Sequence, residues 1–186
     1  MTLLGFLKSN IQLDDEELKL IDSSFKSLKK AKGSTVIESG TSPNKIYFLE
    51  SGLARMYRSQ YDREITQGFF LENNFVFSLA TILYGQPSPY TVNLLEDGVI
   101  RSIEYPDLES YLEQYSAAEK LMRFFLISAL KTKDERINSL QFTSAQERYD
   151  YMLKHYPGLI LRAPLGYIAS YLGITQQTLS VIRARK

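Results

Sequence analysis

An α+β fold is predicted for this chain of 186 residues: an antiparallel β-roll behind a short helical lead, then one long helix, then a small helical domain. Three observations predict it. Residues 33–105 alternate short β-branched and aromatic runs with turn signals. Residues 116–140 contain neither Gly nor Pro, enough for about seven helical turns. Residues 164–186 read helix, tight turn, helix.

Residues 14–32 are expected to be helical. Asp14 can cap the start, Glu17 stands three positions later for a capping box, and Leu13 and Leu18 are placed for a hydrophobic staple. Leu18, Ile21, Phe25 and Leu28 recur at helical spacing, with a stop near Lys32 and Gly33. The strand candidates are 46–49, 53–57, 65–71, 91–95 and 99–103, punctuated by Ser51-Gly52, Asn73-Asn74 and Asp97-Gly98. Pro106 suits a first helical turn, and 107–114 gives a short helix. Within the long helix, 121–130 is apolar nearly all round, interrupted by Arg123 and Ser128. A helix apolar on two sides must bury two sides. One can cover the roll, and the other is expected to meet the same helix of a second subunit; complete burial within one chain is the alternative. Residues 144–155 form a further helix, ended by Pro157-Gly158.

Composition bounds the function. With 44% hydrophobic and 23% charged residues the chain is globular rather than disordered. Cysteine is absent and His155 is the single histidine, which excludes disulfides, zinc-thiolate sites, iron–sulfur clusters and histidine-based triads. No cofactor and no enzymatic activity are therefore expected. Residues 1–10 lack an apolar stretch followed by small residues, and no run is long enough to span a bilayer, so a cytoplasmic location without membrane contact is expected. Net charge is +1, yet residues 131–186 carry nine basic against four acidic groups, while residues 1–130 carry 13 against 17. That asymmetry points to an anionic partner for the C-terminal part, or to a solvated basic tail.

In the C-terminal stretch each key residue has a steric reason. Ala169 is small where two helices cross, Gly173 can end the first helix in the left-handed conformation, and Thr175 can cap the second. Ile174 plugs the turn, and Leu179 and Ile182 pack back on Ile168 and Leu172. Gln176, Gln177, Ser180 and Arg183 are left facing outward. Gln can pair bidentately with adenine, while Arg and Lys favour guanine edges or phosphates. The candidate DNA-binding residues are Thr175, Gln176, Gln177, Thr178, Ser180, Arg183, Arg185 and Lys186. An ordinary αα corner is the alternative.

Nearly the whole chain resembles the cyclic-AMP receptor protein/fumarate–nitrate reductase regulator (CRP/FNR) superfamily of transcription factors. The resemblance rests on Gly40, the glycine-punctuated run 46–55, the long helix, and Thr178-Leu179-Ser180 in the closing helix, the last similar to a Bacteroidetes-like branch. It implies a cyclic-nucleotide-binding-type β-roll at 1–115, a dimerisation helix at 116–140 and a helix-turn-helix DNA-binding domain at 141–186. It also implies double-stranded DNA with an inverted repeat as partner, a homodimer, RNA polymerase as a further partner, and a small-molecule effector. Two departures bear on this. Members that bind cyclic nucleotides carry a Gly-Glu pair and then Arg-Ser or Arg-Thr; those positions fall here on Phe77-Ser78 and Ser88-Pro89. Both the ribose-binding carboxylate and the phosphate-neutralising cation are missing, and a phosphate buried without its cation costs several kcal/mol. The pocket is thus expected to be degenerate, with Phe77, Ser78, Ser88 and Tyr90 as candidate lining. Phe69 and Tyr84 are further aromatic candidates; the alternative is ordinary core and surface aromatics. Val181 stands where relatives present an Arg, so preference is expected to lean toward A·T pairs. The leading reading is a dimeric DNA-binding regulator. The alternative is a small-molecule-binding or protein-interaction module that has lost DNA binding.

Overall fold

The computed structural model describes residues 1–10, 14–61, 63–114 and 116–184. Two helices open the chain, α1 (Leu3–Asn10) and α2 (Asp15–Ser24). Strands β1 (Lys26–Lys30), β2 (Thr35–Ile37), β3 (Lys45–Ser51), β4 (Ala54–Gln60), β5 (Arg63–Phe70) and β6 (Asn74–Val76) follow. A short helix α3 (Leu79–Tyr84) precedes β7 (Thr91–Leu94) and β8 (Gly98–Glu104). The rest is helical: α4 (Tyr105–Gln114), α5 (Ser116–Phe142), α6 (Ala145–His155), α7 (Leu159–Arg162), α8 (Leu165–Leu172) and α9 (Gln176–Ala184).

The strands form two four-stranded antiparallel sheets, ordered β1-β8-β3-β6 and β2-β7-β4-β5. Because side chains alternate along a strand, β3 serves two cores. Leu49 points between the sheets, with Ala54, Met56, Val76, Val92 and Ile100. Ile46 and Phe48 point the other way, into a layer made by Leu3, Phe6 and Leu7 of α1, Leu18 and Ile21 of α2, Leu108 of α4 and Phe125 of α5. Strand β3 is covered on both faces, which is why it reads as a near-continuous apolar run. At the roll's edge, Gly52 (φ 105°) passes so close to Gly98 that a Cβ on Gly98 would stand 2.5 Å from the Ser51 carbonyl oxygen. Both positions require glycine.

Asp14 and Glu17 form the expected capping box: the Asp14 carboxylate accepts from the Glu17 N–H at 2.8 Å, and Glu17 accepts from the Asp14 N–H at 3.2 Å. Leu13, the other half of the staple with Leu18, lies outside the described residues. The helix does not continue to Lys32. It ends at Ser24, and residues 26–30 form strand β1 paired with β8. Phe25 is buried at the helix end, but Leu28 is exposed on an edge strand. Its helical spacing was coincidental, and the β8 edge supplied the competing backbone partners. The five predicted strands are present as β3, β4, β5, β7 and β8.

The long helix spans Ser116–Phe142, and Ser144 begins α6 with a second capping box closed by Glu147. Phe125 is buried against Phe75 with ring centroids 4.1 Å apart, and Phe124 packs on Phe6. The opposite face is open: Ile127, Leu130 and Ile137 are 59%, 70% and 54% exposed.

The C-terminal helices build their own core from Tyr149, Met152, Leu159, Ile168, Leu172 and Leu179. They also dock on the second sheet, which the sequence did not foretell. Leu53 and Leu95 of the roll join their core. The Arg55 side chain, 1% exposed, lies between Tyr57 and Tyr167, its guanidinium carbon 3.6 Å from the Tyr167 ring centre. It donates to the Thr66 hydroxyl at 2.9 Å and to the Glu64 carboxylate at 2.5 Å. The Thr66 N–H in turn donates to the Ser170 hydroxyl at 2.9 Å. Arg162 forks between the Glu72 and Glu96 carboxylates, at 2.6 and 2.5 Å.

Candidate nucleic-acid interface

Helices α8 and α9 meet at a left-handed Gly173 (φ 69°), whose N–H returns to the Ala169 and Ser170 carbonyls. The Ile174 N–H also bonds the Ala169 carbonyl, at 3.0 Å, so the turn is closed by backbone alone. Ala169 is buried at the crossing, and Leu179 and Ile182 are buried beneath α9. The Thr175 hydroxyl accepts from the Thr178 N–H at 3.1 Å, the capping contact read from the sequence. From the long helix, Arg136 donates to the Tyr171 carbonyl; from α6, Arg148 donates to the Leu172 carbonyl at 2.8 Å. Two cations thereby sit on the carbonyl end of α8, where the helix dipole favours them.

With that side packed, α9 turns Gln176, Gln177, Thr178, Ser180, Val181 and Arg183 to solvent, and Thr175 is exposed at its start. On α9 itself, the Ser180 and Thr178 hydroxyls are partly engaged. Ser180 donates to the Gln176 carbonyl at 3.0 Å, and the Thr178 and Thr175 hydroxyl oxygens are 2.9 Å apart. Both keep acceptor capacity, while the two Gln amides and the Arg183 guanidinium carry no bond within the described residues. Arg185 and Lys186 lie outside the described residues.

The four candidate pocket residues are brought together, but two of them are closed off. Ser78 and Ser88 are 0% and 2% exposed. Ser78 caps α3 by accepting from the Thr81 N–H, and the Ser88 hydroxyl donates to the Tyr90 carbonyl at 2.8 Å. The Tyr90 hydroxyl donates to the Phe77 carbonyl at 2.9 Å, and burial pushes its phenol above the ordinary value. These polar groups satisfy one another and leave nothing aimed at a ligand. A void of about 10 Å3 lies between the two sheets, lined by apolar side chains such as Val36 and Ile100. That is at the lower limit for a single water. Phe77 and Tyr90, with Phe69, instead line a larger cleft of about 370 Å3 toward α5 and the C-terminal helices. Tyr84 is 72% exposed and takes no part. Sequence reasoning missed Lys133, Arg136 and Arg148 on that cleft, because they are scattered over α5 and α6 and only the packing collects them.

Comparison with known proteins places this geometry. Residues 28–115 match the cyclic nucleotide-binding domain family. No curated protein matches the sequence. Among solved structures, FixK2 from Bradyrhizobium japonicum superposes with a TM-score of 0.74 at 17% identity, over 87% of this chain and 83% of that one. A CooA mutant from Carboxydothermus hydrogenoformans gives 0.71 at 22% identity, over 100% and 84%. The c-di-GMP-responsive global regulator CLP of Xanthomonas campestris gives 0.71 at 14% identity, over 92% and 91%. Residues 28–115 thus match the cyclic nucleotide-binding domain family, and the chain as a whole shares the fold of FixK2, CooA and CLP.

Proposed function

We propose that this protein is a dimeric, sequence-specific DNA-binding transcription regulator whose roll no longer takes a cyclic nucleotide. The observation that carries the reading is α9: a helix packed by Leu179 and Ile182 that turns Gln176, Gln177, Ser180 and Arg183 outward. In this reading residues 1–115 are the effector-type domain, 116–140 the dimerisation helix and 141–186 the helix-turn-helix domain. Gln176 and Gln177, near the start of α9, read base edges, and exposed Val181 meets thymine methyls. Arg183, two turns on, is assigned to phosphate along with Arg185 and Lys186. No enzymatic activity is assigned in this reading, which rests on the likeness in fold to regulators such as CLP. No helix of the described residues is long and apolar enough to cross a membrane.

The test separates base contacts from phosphate contacts. Gln177→Ala should cost about 1–3 kcal/mol at one symmetric position of the preferred site and relax preference there. Arg183→Ala should weaken all duplexes alike and lower the salt slope by about one for each phosphate left without its cation. Binding titrations at several salt concentrations read both. Unchanged binding in both variants would favour the interaction-module alternative.

A further inference from the structure

The cleft of about 370 Å3 runs between β5, the inner side of α5 and the C-terminal helices. Its size falls within the usual range of about 300–1,000 Å3 for small-molecule sites. The lining is aromatic at Phe77 and Phe125, with ring centres 6.2 Å apart, and at Phe69, which packs edge-on against Tyr171 at 5.5 Å. Tyr171 continues this wall to the cationic side chains that also line the cleft, Lys133, Arg136 and Arg148. Arg136 is half-buried and stacks 4.2 Å over the Tyr171 ring, with the Tyr171 carbonyl as its hydrogen-bond partner. Arg148 is spent on the Leu172 and Thr143 carbonyls. Among the described residues no carboxylate forms an ion pair with any of the three cations. Glu135, the acidic residue on the lining, pairs with Lys131 at 3.8 Å instead. Loss of solvent holds Arg136 below its ordinary value, with Tyr171 opposing and Arg148 reinforcing the shift. A half-buried cation without a counter-charge lacks what normally offsets its lost hydration.

We infer that this cleft is the regulator's effector site, and that it takes a small organic acid: an aromatic or aliphatic body against Phe69, Phe77 and Phe125, its acid group against Arg136. A ligand seated there touches β5, α5 and α8 at once. Its affinity therefore depends on how the C-terminal helices are docked, and by linkage its binding biases that docking. The name effector rests on the regulatory reading above; the binding itself does not.

The test is a fluorescence titration of the full chain, without DNA, using 8-anilinonaphthalene-1-sulfonate, an aromatic sulfonate. Saturable binding is expected, displaced by decanoate and not by decan-1-ol. Arg136→Gln should weaken the probe and decanoate by about tenfold or more, and Arg136→Lys should recover most of that loss. Ser128→Trp, which fills the cleft and leaves the cations in place, should abolish both. It decides the matter if melting curves show that Arg136→Gln is unfolded. Equal displacement by decan-1-ol, or unchanged binding in folded Arg136→Gln or Ser128→Trp, overturns the proposal. Because no DNA is present, failure here leaves the DNA-binding reading standing, and loss of DNA binding leaves this site standing.

Discussion

Ser78 and Ser88 spend their hydroxyls on backbone partners inside the roll, and neither they nor Phe77 and Pro89 offer a carboxylate or a cation. A cyclic nucleotide entering here would bury its phosphate unpaired and break the Tyr90–Phe77 bond. Millimolar cyclic AMP or cyclic GMP is therefore expected to leave the melting temperature unchanged. A ligand at one hundred times its dissociation constant would add about 2.7 kcal/mol, a shift that thermal unfolding detects. A saturable rise with either nucleotide would show that the pocket still binds one. Arg162 supports a second prediction. The hydrogen bond it donates is the main reason the Glu72 carboxyl titrates below its ordinary value of 4.5. A lowered carboxylate contributes stability above its unfolded pKa and loses it as pH falls through the folded value. The docking of the C-terminal helices should accordingly weaken below about pH 4.5. The gap in melting temperature between the parent and Arg162→Gln should narrow over that range. A gap that stays constant from about pH 7 to about pH 3 would show that Glu72 is not the titrating partner.

Among the elements, α5 carries the assembly claim. Phe124 and Phe125 belong to the roll-facing side, so the open stripe is Ile127, Leu130 and Ile137, at spacings of three and seven. Such spacing suits a helix pair, and a monomer leaves that stripe wet. The double variant Ile127→Glu, Leu130→Glu should sediment as a folded monomer of about 21 kDa, while the parent sediments as a dimer at micromolar concentration. A monomeric parent would refute the helix as a dimer seam. What the sequence made legible at this scale follows physical rules of short range. The cap at Asp14, the left-handed Gly173 and the capping Thr175 each depend on neighbours within a few positions, and the five main strands show as short apolar runs between turn residues. Strand β1 escaped because its five residues are all exposed, and it is a strand only because β8 lies beside it. Strands β2 and β6, at three residues each, are too short to show a period, and α3 is cut from the same apolar stretch.

For the whole molecule the missing information was docking. Arg55 reads in the sequence as a strand cation, yet it is the centre of the contact between the roll and α8. The Thr66–Ser170 bond joins residues 104 positions apart, beyond any local pattern. The outward face of α9 was legible because it is what remains once Leu179 and Ile182 are assigned inward, and that assignment is periodic. The cleft at Arg136 was not, since it exists only when α5, β5 and α8 are assembled. The central claim concerns the assembled dimer on DNA, and selection of bound duplexes from a random pool by the full chain at stated salt tests it most directly. A two-fold dimer with α9 in successive major grooves should enrich an inverted repeat with half-site centres about 34 Å, or about 10 base pairs, apart. Enrichment of no sequence, or of sites without two-fold symmetry, would contradict it.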